Sequence, residues 1–143
     1  MCAGARDDTP ARITSQLDFE ATYFKLVHTS GTICGKKWGC SGDSQTMIIT
    51  NTARETLSRA PGDRLHRTDM ESPEMVIQAS RPVMIKTNDQ LDVWFITDFL
   101  DGVTTYSANE RACFNVYAYG RDFGCSHGHF VSPIRKKEIL VRI

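Results

Sequence analysis

Near the end of the chain the segment FGCSHGHF sets Cys125, His127 and His129 at alternate positions. On an extended strand alternate residues share a face, so one thiolate and two imidazoles would point the same way. Such a set suits zinc or copper once a fourth ligand comes from elsewhere. The same thiol could instead act as a nucleophile if His28, His66, His127 or His129 took its proton, which would make the chain a small metal-dependent or thiol-dependent enzyme. The blander reading is a surface loop in which two histidines follow a structural cysteine. No further catalytic spacing is spelled out: the chain holds no CxxC, HExxH or GxSxG motif and no phosphate-binding glycine loop.

The cysteines Cys2, Cys34, Cys40, Cys113 and Cys125 fall into two local pairs and a terminal odd one. That grouping predicts Cys34–Cys40 and Cys113–Cys125 bridges, closing short loops worth about 2 to 3 kcal/mol each if unstrained. Reduced, buried thiols acting as small hydrophobes are the alternative. Bridges imply an oxidising, extracellular or secreted setting. The first 20 residues have no apolar run of a secretory signal, so export calls for a leader outside this chain.

Composition narrows the partners. Seventeen Lys and Arg balance seventeen Asp and Glu, which removes the global field that recruits nucleic acid. The basic run Arg135, Lys136 and Lys137 is too short to restore it and reads as a solvated turn. No stretch approaches the roughly 18 apolar residues of a membrane helix, so membrane insertion is not expected. At 143 residues, with 41% hydrophobic content, the chain suits one globular domain.

The elements that must position any site are strands. Residues 1–11 carry no periodic pattern and read as an irregular leader, leaving 12–143 as a single domain. From Arg12, the residues Ile13, Leu17, Phe19, Ala21 and Tyr23 fall largely on alternate positions, which puts one long strand with these on one face ahead of its rival, a helix over Gln16 to Leu26. The segment SGTICGKKWGCSGD, Ser30 to Asp43, is too rich in glycine for a regular element and reads as a stapled loop. Function often sits on such loops, and Lys36, Lys37 and Trp38 are its candidate binding residues. Aromatic residues at strand spacing, by contrast, are usually core.

Further strands are expected at Thr46–Thr50, Met75–Ala79, Val83–Lys86, Gln90–Thr97, Ala112–Tyr119 and Glu138–Ile143. Asn88-Asp89 is a tight-turn signal that predicts a hairpin between the Val83 and Gln90 strands. In the second of these, Leu91, Val93 and Phe95 make an apolar face while Asp92 and Trp94 face the other way. Thr52–Arg59 has the composition for one or two helical turns. Seven or eight strands with long loops make a mostly β fold, an antiparallel β-sandwich, the expected architecture.

The blocks ARITSQLDFEATYFKL, CSGDSQTMIIT, NDQLDVWFITD and CFNVYAY, in that order, resemble a CUB domain over Arg12 to Tyr119. The resemblance implies an extracellular, jelly-roll-like sandwich that binds another protein or a glycan without catalysis. In calcium-binding members two aspartates, matching Asp43 and Asp98 here, help hold the ion that orders the loops. Calcium takes several hard oxygen ligands, which such carboxylates supply. No acid stands near Leu26 and Val27, where the family places its glutamate, and no cysteine lies between residues 55 and 70, where it places a disulfide partner. An aspartate beside a glycine-rich turn also commonly caps backbone groups instead.

Overall fold

A computed structural model describes residues 1–6, 9–40, 46–58, 69–96, 99, 109–122 and 138–143. Its strands are β1 (Cys2–Gly4), β2 (Ala11–Thr14), β3 (Phe19–Ser30), β4 (Met47–Asn51), β5 (Glu74–Ile85), β6 (Gln90–Phe95), β7 (Arg111–Asp122) and β8 (Glu138–Arg142). All pair antiparallel. One sheet runs β1-β7-β3-β5, with β8 also on β7; the other runs β2-β6-β4. The two form the expected β-sandwich, and their facing side chains make the core. Phe19, Phe24, Leu26, Met75, Ile77, Phe114 and Val116 come from the larger sheet, and Ile13, Met47, Ile49, Leu91, Val93 and Phe95 from the smaller. Each large side chain so buried contributes about 1.5–3 kcal/mol.

The long strand expected from Arg12 to Tyr23 is two strands in different sheets. Ser15 breaks it: its hydroxyl donates to the Leu17 carbonyl at 2.8 Å and accepts from the Leu17 amide at 3.2 Å. A side chain that satisfies local backbone groups in this way competes with the ladder. The chain then crosses to the larger sheet. Within β3 the register shifts between Ala21 and Tyr23. The extra residue changes the phase of alternation, so Phe19 and Ala21 before it and Phe24 and Leu26 after it all face the core. Tyr23 therefore lies on the outer face, against the expectation that it shares a face with Phe19. A β-carbon at Gly120, which pairs with Ala21, would meet the Glu20 carbonyl oxygen. Glycine allows the two strands their close approach here.

The tight turn at Asn88-Asp89 exists, but it joins sheets and closes no hairpin. The Asp89 amide donates to the Lys86 carbonyl at 2.9 Å, and Asn88 takes a φ of 73°. The Asn88 amide donates to the Ser15 carbonyl and the Ser15 amide to the Asp89 carbonyl, both at 2.8 Å. These bonds start β6 beside β2, so β5 pairs with β3 instead.

Both faces of β6 are buried. Asp92, expected on a mixed face, is 1% exposed, and Arg12 donates to its two oxygens at 2.8 and 3.0 Å. Trp94 donates from its indole to the Thr50 hydroxyl at 3.0 Å and lies beneath the Arg54 guanidinium, 4.6 Å from the ring centroid. The helical turns expected at Thr52–Arg59 are absent among the described residues 52–58. The Asn51 side-chain oxygen accepts from the Ala53 and Glu55 amides, Arg54 takes a φ of 64°, and Thr56 then bridges back to Thr50.

The disulfides are Cys2–Cys113 and Cys34–Cys40. The second was expected; the first replaces the predicted Cys113–Cys125 bridge. Cys2 sits opposite Cys113 in the β1–β7 register, where neighbouring strands bring the two together. Residues 1–11 are accordingly no irregular leader, since Cys2–Gly4 adds an edge strand and the β2 ladder begins at Ala11. Cys125 lies outside the described residues.

Candidate functional site

The stapled loop begins where β3 ends. The Ile33 and Lys36 backbones exchange hydrogen bonds at 2.8 and 3.1 Å around a turn in which Cys34 and Gly35 take φ of 55° and 73°. Two fully buried side chains, Ile33 and Trp38, anchor it. The Trp38 indole donates to the Ser72 carbonyl at 2.7 Å, and its ring packs against His28 and Phe114 at centroid distances of 5.4 and 6.0 Å. His28 donates from Nε2 to the Gly31 carbonyl at 2.7 Å, a tautomer required because a carbonyl can only accept.

Trp38 is therefore no surface anchor. It was a candidate because of its place in a glycine-rich loop, but its ring fills the sandwich end and offers nothing to a partner. Lys37 is half-buried and held by Glu71, which accepts from its amide at 3.2 Å and lies 3.8 Å from its ammonium. Lys36 is exposed. The other candidates, Asp43, Asp98, Cys125, His66, His127 and His129, lie outside the described residues. Among the described residues no three or more His, Cys, Asp or Glu side chains gather as a metal site would require.

A concave surface lies at the opposite end. β4 and β5 each close one end of their sheet's order, and a gap borders both. A groove of about 310 Å³ fills this gap, lined by Asn51, Thr52, Leu57, Val83, Met84, Ile85, Asp89, Gln90 and Leu91. The strip 56–58 spans the gap, with Thr56 bridging to Thr50 of β4, Ser58 to Ala79 of β5, and the Ser80 amide donating to the Leu57 carbonyl at 2.9 Å.

Burial sorts the lining into two kinds. Ile85 and Leu91 are buried and form an apolar floor, with Leu57 and Val83 half-buried beside them. Thr52, Asp89 and Gln90 are exposed at the rim. Met84, 49% exposed, stands on the β5 side. Asn51 is held by its turn, where its side-chain nitrogen donates to Glu55 at 3.3 Å. Asp89 accepts from the Lys86 amide at 2.9 Å, which fixes its carboxylate at the corner. An apolar floor with a few fixed polar groups around it is the usual make-up of a small-ligand site.

Reasoning from the sequence missed this groove. Asn88 and Asp89 stand out in the sequence as turn residues, yet the groove arises where that turn meets the Asn51 turn of the other sheet. The one local hint was Met84, an apolar residue that the alternation of β5 leaves on the solvent side of a strand end.

The sequence matches no known family model and no curated protein sequence. Among solved structures it is similar to AJLec from the sea anemone Anthopleura japonica, with 20% sequence identity and a TM-score of 0.68, over 83% of this chain and 91% of that one. At this identity the likeness shows a shared β-sandwich fold.

Proposed function

We propose that this chain is a non-catalytic carbohydrate-binding module of an extracellular or secreted kind, and that a sugar seats in the groove between β4 and β5. The groove carries the reading. A pyranose presents hydroxyls at its edge and C–H groups on its faces. The rim offers Thr52, Asp89 and Gln90 to the former, and the half-buried Leu57 and Val83 offer apolar surface to the latter. The likeness to AJLec, whose name is that of a lectin, supports the same class of ligand. Two disulfides support an oxidising compartment.

The test is retention of the protein on a panel of immobilised glycans, with Gln90→Ala, Thr52→Ala and Met84→Arg beside the wild type. These positions are exposed, so the fold should tolerate the changes. The two alanine variants should weaken retention, and Met84→Arg should block it. Failure of the folded wild type to bind any glycan overturns the reading. Calcium at Asp43 and Asp98, which the CUB resemblance implies, is a separate arm. Retention lost in EDTA and restored by calcium supports it, and retention indifferent to EDTA removes calcium while leaving the groove intact.

A further inference from the structure

The two turns that meet at the groove give it a charge of one sign. Of the lining residues Asp89 alone is charged, in a chain whose formal net charge is zero. That carboxylate is fixed. Its Oδ2 accepts from the Lys86 amide at 2.9 Å, while the Asp89 amide donates back to the Lys86 carbonyl at 2.9 Å and the Asp89 carbonyl accepts from the Ser15 amide at 2.8 Å. Turning the side chain away would hand the Lys86 amide from a charged acceptor to water, and bonds to charged acceptors are the stronger kind. No partner among the described residues takes Oδ1, so that oxygen is left for a ligand.

The turn from the other sheet adds to the same sign. Glu55 accepts from the side-chain nitrogen of Asn51, a lining residue, at 3.3 Å, which sets a second carboxylate beside the groove. The neighbouring cations are engaged elsewhere. Arg54 donates to the Phe99 carbonyl at 3.1 Å and lies over the Trp94 and Phe99 rings, 4.6 and 5.0 Å from their centroids. Trp94 alternates with the core residues Val93 and Phe95, so this guanidinium sits on the outer face of the smaller sheet. The Lys86 charge acts on the Asp18 carboxylate, which offsets it. Arg81, exposed on β5, does not line the groove. Resting on the glycan reading above, we infer that the groove selects uncharged saccharides and rejects anionic ones, and that Asp89 is the residue that decides between them. A neutral sugar donates a hydroxyl to Oδ1 in a charge-assisted bond. A uronate or sulfate seated in the same place meets a fixed like charge, which weakens binding about tenfold for unit charges about 6 Å apart at an effective dielectric constant of about 40.

The test extends the immobilised panel so that each neutral glycan is matched by the same glycan carrying a sulfate, or with its terminal hexose oxidised to the uronate. At low salt the wild type should bind the anionic member of a pair about tenfold more weakly than the neutral one. The gap should close in about 1 M sodium chloride, where charges more than about 3 Å apart are screened. Asp89→Asn keeps a side-chain oxygen for the Lys86 amide and should bring the two members within about twofold of each other, and thermal unfolding checks that the variant is folded. Anionic members that bind as tightly as their neutral partners overturn the inference while leaving the groove standing. So does a gap that persists in high salt or in folded Asp89→Asn. Retention on no saccharide, neutral or anionic, overturns the glycan reading itself.

Discussion

Replacing Cys2 by serine should destabilise the protein far more than replacing Cys125. The Cys2–Cys113 bridge closes a loop with a sequence separation of 111, against 6 for Cys34–Cys40. In the loop-entropy description these correspond to about 4.8 and about 2.3 kcal/mol. Had Cys113 paired with Cys125, 12 residues away, the figure would be about 2.9 kcal/mol and Cys2 would matter little. Urea unfolding separates the cases. With a slope of about 2 kcal/mol per molar, Cys2→Ser should lower the midpoint by roughly 2 M, and Cys125→Ser should leave it nearly unchanged. Peptide mapping without reductant should recover Cys2 joined to Cys113. A midpoint lowered by Cys125→Ser and untouched by Cys2→Ser would refute both the pairing and the role of β1 as an edge strand.

Three other perturbations test the packing. Arg12→Ala should lower the unfolding midpoint more than Asp92→Asn, because the first strands a carboxylate whose side chain is 2% exposed while the second leaves a guanidinium, 53% exposed, in reach of water; the reverse order in urea would contradict the pairing. Asp18 accepts from the Thr87 amide and hydroxyl at 2.8 and 3.1 Å, and these bonds, aided by Lys86, hold its pKa below the usual carboxylate range. Its contribution is therefore present above the unfolded pKa and lost as pH falls through the lowered folded value, so Asp18→Asn should flatten the decline of stability below about pH 4, measured by unfolding at a series of pH values. Gly120→Ala drives a β-carbon into the Glu20 carbonyl and should destabilise by about 1–3 kcal/mol in urea, whereas an unchanged midpoint would mean the β3–β7 register is different.

Much of the strand pattern is legible because alternation is local. Met47–Asn51, Gln90–Phe95 and Arg111–Asp122 fall within a few residues of where the β-branched and aromatic runs place them. The phase change between Ala21 and Phe24 escapes the simple alternation, which puts Tyr23 on the face of Phe19 and Ala21 although Phe24 and Leu26 keep the opposite parity. The candidate site was not legible either. A glycine-rich loop with a tryptophan suggests an exposed anchor, but nothing local reveals that the Trp38 indole will find the Ser72 carbonyl 34 residues away. Groove residues such as Asn51, Met84 and Gln90 are ordinary turn and strand-end residues until two sheets leave a gap between them.

Alternating apolar residues with β-branched and aromatic side chains, read in order, determined that this chain forms antiparallel strands packed as a sandwich, because burying one face of each strand needs only the neighbours in sequence. Tertiary structure decided which sheet each strand joins, which cysteine Cys113 takes and where the groove opens. Those choices depend on backbone groups and side chains distant in sequence: Ser15 meeting Asn88 and Asp89, Cys2 meeting Cys113, and β4 and β5 standing apart. No local pattern encodes a meeting of that kind, since each partner carries only its own half of it.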